Sequence, residues 1–127
     1  MILVDTSVWI DFLAGGSTAA SLKSLLETVE VACHPFVRGE LALGQLGRRR
    51  KDFLRGIDRL PVLPLAAHED VLALVEAHDL VGAGIGWGDA HLLAACVGTK
   101  ARLWTLDRSL RLAALRAREV SLLHPGR

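Results

Sequence analysis

Cysteine is scarce: only Cys33 and Cys96 occur, 63 residues apart, and neither has a second Cys or a His at the spacing that holds zinc. Both sit among apolar neighbours, Val31-Ala32 before the first and Ala94-Ala95 before the second. Buried, reduced thiols are therefore expected, not the disulfide framework of a small secreted domain. Long apolar runs are missing too. No stretch approaches the ~20 residues that cross a bilayer. The apolar start Met1-Ile2-Leu3-Val4 has no basic lead-in and is interrupted by Asp5 and Asp11, so it is not expected to be a signal peptide. A cytoplasmic protein with no membrane partner is the expectation. Excess charge of either sign is absent as well: 15 Lys and Arg against 14 Asp and Glu leave +1, and net charge names no partner.

What is present predicts one globular domain over residues 1–127. A composition 51% hydrophobic and 23% charged belongs to a folding chain, not a disordered one. The near-neutral total conceals segregation. Residues 48–59 carry six basic and two acidic side chains, and residues 100–118 carry Lys100, Arg102, Arg108, Arg111, Arg116 and Arg118 against Asp107 alone. Residues 60–99 hold no Lys or Arg and five carboxylates. That pattern suits a basic surface facing a polyanion. Codon bias would also produce it, since Arg outnumbers Lys twelve to three, and charged helix faces are ordinarily just solvated.

Short apolar runs alternate with helical periodicity. Residues 2–4 read as a buried strand feeding a helix that Ala14-Gly15-Gly16 stops after Leu13. Ser17-Thr18 opens a second helix on Leu22, Leu25, Leu26 and Val29, residues 29–33 read as a strand, and Pro35 suits the first turn of a helix over 36–47. Residues 48–59 predict an amphipathic helix, with Lys51, Arg55 and Arg59 on one side and Phe53, Leu54 and Ile57 on the other. An extended piece between Pro61 and Pro64, a helix over 67–80, a glycine-rich loop over 81–86 and a nearly all-apolar helix over 87–97 follow. Residues 102–106 predict a strand, 108–118 a helix and 120–123 a last strand. This order predicts an α/β fold of three layers, α/β/α, around a mainly parallel sheet of about four or five strands.

Four carboxylates break their local pattern. Asp5 and Asp107 each follow an apolar strand and precede a helix, at the carboxyl edge where open parallel sheets bind ligands. An ordinary N-cap would explain either one alone. Glu40 lies about 200° from Arg38 on a helix whose solvent side Arg38, Gln45 and Arg49 trace, which directs its carboxylate at the core, where it is costly unless metal-bound or paired, with Arg102 the candidate partner. Asp89 starts the apolar helix between Gly86 and Gly88, where the helix dipole favours negative charge and glycine permits close approach. Four clustered acids without matching bases would repel one another, and a divalent cation resolves that. An all-oxygen set suits Mg²⁺ or Mn²⁺ and not zinc. His34, His68, His78, His91 and His124 fit no ligand spacing. Thr6 and Ser7 have no matching base and read as donors that fix Asp5 and cap the first helix.

The stretches Val4-Asp5-Thr6-Ser7-Val8-Trp9-Ile10, Gly39-Glu40-Leu41, Gly86-Trp87-Gly88-Asp89-Ala90-His91-Leu92-Leu93-Ala94 and Leu103-Trp104-Thr105-Leu106-Asp107 run in order across essentially the whole chain. Together they resemble the PIN-domain family and, within it, the VapC toxins of bacterial type II toxin–antitoxin pairs. The resemblance implies an endoribonuclease in which Asp5, Glu40, Asp89 and Asp107 form an acidic site for one or two Mg²⁺ or Mn²⁺ ions, with Thr6, Ser7 and Thr105 in support. It also implies a structured RNA substrate, a homodimer, and a VapB-like antitoxin that neutralises the toxin in a hetero-oligomer. Family members often carry a further Asp or Asn shortly after the fourth acid, where Ser109 stands here, and this bears on a second ion. Arg48, Lys51, Arg55, Arg108 and Arg111 become candidates for phosphate contacts. Trp87 is placed to stack a base, but Trp9, Trp87 and Trp104 read first as core or dimer packing, because aromatics at 5% make no stacking sheet. Two alternatives remain: a non-catalytic module binding nucleic acid or protein, and an aspartyl-nucleophile phosphatase. The phosphatase would need an acid where Ser7 stands and a lysine downstream, for which Lys100 is the only supply after Lys51.

Overall fold

Ile2, Leu3 and Val4 alternate across the two faces of a strand, and all three are buried, so both faces of the sheet are covered. The computed structural model describes residues 1–124. In it this strand, β1 (Ile2–Val4), lies between β2 (Val31–Ala32) and β3 (Arg102–Trp104), parallel to both. The register sets Leu3 beside Ala32 and Leu103. Two further extended segments add one bridge each at the outer edges, Val62 beside Cys33 and Leu122 beside Leu103. The expected four or five strands are therefore three regular strands with a single-bridge fringe on either side. The predicted strands over 29–33 and 120–123 shrink accordingly. Val29 takes a left-handed turn, φ 56°, out of the helix before it, and the 120–123 segment pairs at one residue only.

The helices are α1 (Thr6–Leu13), α2 (Ala19–Glu27), α3 (Pro35–Leu43), α4 (Arg50–Asp58), α5 (His68–Ala77), α6 (Trp87–Thr99) and α7 (Arg108–Arg116). α6 buries every residue from Ala90 to Cys96, as its nearly unbroken apolar sequence requires, and it packs on α3, α5 and β3. Cys33 and Cys96 are free and buried. α3 is shorter than predicted. It ends at Leu43, the chain turns extended at Gly44, and a 3₁₀ turn over Gly47–Arg49 leads into α4. No helix among the described residues is long and apolar enough to cross a membrane.

Candidate functional site

The parallel pairing of β1 with β3 brings their carboxyl ends together, and there Asp5 and Asp107 leave the sheet. Asp5 N–H still donates to the Trp104 carbonyl at 2.9 Å, and the Asp5 side chain is buried. Its Oδ2 accepts from Ser7 Oγ and from Thr105 Oγ1, both at 2.7 Å. With one proton on each hydroxyl, the 3.3 Å approach of Ser7 Oγ to Thr105 Oγ1 is a contact and not a further bond. Leu106 N–H donates to Ser7 Oγ and Asp107 N–H to Thr105 Oγ1, both at 3.0 Å. Two backbone-to-hydroxyl relays thus converge on one carboxylate oxygen and polarise it. Oδ1 of Asp5 accepts no hydrogen bond among the described residues.

The capping explanation separates the two strand-end acids. Asp107 is a true N-cap, with Oδ1 accepting from Leu110 N–H at 2.9 Å; Asp5 occupies the N-cap position of α1 but makes no side-chain cap bond. Nor does Thr6 or Ser7 cap α1. Thr6 Oγ1 donates instead to Glu40 Oε1 at 2.8 Å, so it fixes Glu40 and not Asp5.

Glu40 corrects an expectation: it is exposed, not directed at the core. α3 buries Val37 and Leu41, one turn apart, which leaves Glu40 on the flank of that stripe. Gln45 and Arg49 lie beyond the end of α3 and never shared its face, while Arg38 is drawn to Asp58 at 2.6 Å. Arg102 does not pair with Glu40. Among the described residues the ion pairs are Arg38–Asp58 and Arg55–Asp52, and none involves the four candidate acids. The glycines beside Asp89 are not forced by geometry either. Gly86 has open space around it, and a side chain at Gly88 would meet Phe36 at an ordinary 3.7 Å.

Asp89, partly buried in the first turn of α6, registers the company it keeps. Its carboxyl is pushed up to about 6, first by burial and next by the charge on Asp5, with Asp107 and Glu40 adding; a hydrogen bond from the Gly86 backbone partly offsets them. All three other acids are thus within electrostatic reach of Asp89, and no basic side chain neutralises the group. Among the described residues no three His, Cys, Asp or Glu are closed around a point as a ready-made ligand set. The chemistry of the donors nevertheless fits a hard divalent cation: oxygen donors only, mutual repulsion, and a free Oδ1 on Asp5.

Known proteins resemble this chain over most of its length. The family model described as PIN domain matches residues 2–115. Ribonuclease VapC32 of Mycobacterium tuberculosis, in strains CDC 1551 / Oshkosh and H37Rv, is 46% identical over 115 residues, covering 89% of this chain and 90% of the relative. The chain belongs to the PIN-domain family, in its VapC-type branch.

The basic candidates of this PIN domain are all at the surface. Arg48, Lys51, Arg55, Arg108 and Arg111 are exposed; Arg111 Nη2 donates to the Thr105 carbonyl at 3.3 Å, in a cavity it shares with Ser17, Thr18, Ser21 and His124 and none of the four acids, and Arg55 stands 4.0 Å from Asp52. Two neighbours in the same basic run are spent on structure: Arg49 donates to the Leu13 carbonyl and Arg50 to the Ala42 carbonyl. Ser109 lies under the loop before α6, where a side chain at Gly84 would meet its Oγ at 3.5 Å.

Histidine carries more of the site's framework than the sequence reading gave it. His34 is fully buried and caps α3, its Nδ1 accepting from Phe36 N–H at 3.0 Å. His-Pro at a helix start was the available signal. His91, also buried, packs on Phe36 with ring centroids 4.5 Å apart. Of the three tryptophans, Trp9 and Trp104 are core as expected, whereas Trp87 is 40% exposed.

Proposed function

We propose that this PIN domain is a metal-dependent endoribonuclease, the toxin of a VapBC-type pair. In this reading it hydrolyses phosphodiester bonds in structured RNA of the tRNA or rRNA class and halts translation in the cytoplasm. A VapB-like antitoxin neutralises it, and the working assembly is a homodimer that the antitoxin joins in a hetero-oligomer. The activity is that for which the relative is named, a ribonuclease. The observation that carries the reading here is Asp89, whose carboxyl is held near 6 by burial and by Asp5, Asp107 and Glu40 with no basic partner.

Asp5, Glu40, Asp89 and Asp107 would hold one or two Mg²⁺ or Mn²⁺ ions. Bound there, such a cation supplies an acidified water and stabilises charge on the phosphoryl oxygens. The chain's own contribution is orientation and exclusion of competing partners. Ser7 and Thr105 saturate Oδ2 of Asp5 and leave Oδ1 for the ligand, Thr6 fixes Glu40, and the α7 cap ties down one oxygen of Asp107. An aspartyl phosphatase is disfavoured by the same contacts: the residue two after Asp5 is a hydroxyl donor to it, not a second acid.

The test is cleavage of total RNA by purified protein in Mg²⁺. The parent should cut and EDTA should stop it. Asp5→Asn and Asp89→Asn should each lose on the order of a hundredfold or more in rate with unchanged circular dichroism. Undiminished cutting by either variant removes the assignment.

A further inference from the structure

Trp87 is the one large aromatic that the surface of this chain exposes among its described residues. Trp9 and Trp104 are 2% and 3% exposed, no phenylalanine is exposed, and the sequence has no tyrosine. An indole left 40% open forfeits stabilisation that burial would give it, and it sits on the first residue of α6, two before Asp89. Its ring is not loose. His91, one turn along, meets it edge to face at 5.1 Å and 86°, and His68, the first residue of α5, lies against it at 5.1 Å and 51°. His91 is itself seated on Phe36, which packs on the buried ring of His34 at 5.4 Å. A ladder of rings therefore runs from the core to the surface and fixes the indole in place.

Residues 87 and 89 diverge by about 200° around a helix. Trp87 therefore faces the opposite side of α6 from the Asp89 carboxylate, outside the acidic pocket, among His68 and His91. A neutral, flat, rigid surface at that place suits the face of a nucleobase and offers a phosphate nothing. We infer that Trp87, braced by His68 and His91, is a stacking platform for one unpaired base of the RNA, at a point of the strand beyond the acidic pocket. This rests on the ribonuclease reading above and adds the feature of substrate it selects: a nucleotide free to leave its helix. Stacking is sequence-tolerant, so the platform selects unpaired structure more than base identity.

The experiment uses the whole protein carrying Asp5→Asn, to silence cutting, and a fluorescein-labelled single-stranded RNA decamer of mixed sequence, read by anisotropy. Trp87→Leu, which keeps apolar contact with both imidazoles, should weaken binding about tenfold, and Trp87→Phe should recover most of the loss. Decamers with an abasic site at each position in turn should show one position at which Trp87 protein loses affinity and Trp87→Leu protein does not. Equal binding by Trp87→Leu, or a loss that no abasic position reproduces, overturns the platform and leaves the ribonuclease reading intact. A change in molar mass of Trp87→Leu by light scattering, with RNA affinity unaltered, assigns the indole to a contact between copies of the chain and overturns it too. If the protein neither binds nor cuts RNA, the underlying reading falls and the platform with it.

Discussion

Single hydroxyls decide how Asp5 is presented. Thr105 Oγ1 is used twice, donating to Asp5 Oδ2 and accepting from Asp107 N–H, and the residue is buried. Thr105→Val keeps the shape and removes both bonds, leaving a shielded N–H without its acceptor. A loss of about 1–3 kcal/mol in urea unfolding is expected, together with slower RNA cleavage, and Thr105→Ser should restore both. A valine variant as stable and as active as the parent would show that Ser7 alone holds the carboxylate. Asp89 behaves in the opposite sense. It is an acid kept among acids, so Asp89→Asn should raise the stability of metal-free protein at pH 7.5 by roughly 1–2 kcal/mol, given about 1.4 kcal/mol for each unit of its displacement and a discount for solvent screening. The same change should abolish the rise in melting temperature that Mg²⁺ gives the parent, which follows the logarithm of ligand concentration over Kd. Destabilisation by Asp89→Asn in EDTA would contradict the repulsion argument.

At the scale of elements, the sequence located the helices well wherever one face was uniformly apolar. α1, α4, α6 and α7 fall within two residues of their predicted bounds because stop signals such as Ala14-Gly15-Gly16, or an abrupt change to charge, mark their ends. α3 was overextended. Its polar positions continue past Leu43 at helical spacing by coincidence, and that error turned Glu40 inward on paper when the fold sets it at the rim. Even so, where three of the candidate acids stand on the fold was readable, since Asp5 and Asp107 follow strand ends and Asp89 lies in the first turn of a helix. What could not be read was the pairing of hydroxyls with carboxylates, because Thr6 reaches Glu40 across 34 residues and Thr105 reaches Asp5 across 100. α4 illustrates what a face predicts. Leu54 and Ile57 are buried while Lys51 and Arg55 stand in solvent, with Arg55 only loosely held by Asp52. If that solvent side tracks phosphates, Lys51→Gln combined with Arg55→Gln should weaken RNA binding alike for all sequences and lower the slope of log affinity against log salt by about 2. An unchanged slope would return those charges to plain solvation.

Across the whole molecule, pH acts through a buried histidine as well as through Asp89. His34 sits at zero exposure between the end of β2 and the start of α3, with Nδ1 committed as acceptor to Phe36 N–H. The proton must therefore ride on Nε2, which has no partner among the described residues. Burial first, and the neighbouring His91 second, push its pKa down to about 4. His91 on α6 is also lowered, by burial and by His68. An unfolded histidine titrates near 6.5. Between that value and about 4 the unfolded chain holds a proton on residue 34 that the folded chain refuses, so stability is full above 6.5 and declines as pH falls, with a limiting slope of about 1.4 kcal/mol per pH unit. The raised carboxyl of Asp89 works the other way, contributing stability at low pH that is lost as pH rises towards 6. A comparison at fixed Asp89 removes that contribution. His34→Asn keeps a side-chain acceptor at the helix start and cannot titrate. Urea midpoints taken in EDTA at pH 7 and pH 5 should therefore fall less on acidification for His34→Asn than for the parent. If the two fall equally, His34 is not the group through which acid loosens the fold, and the ring ladder from His34 to Trp87 is stable to protonation.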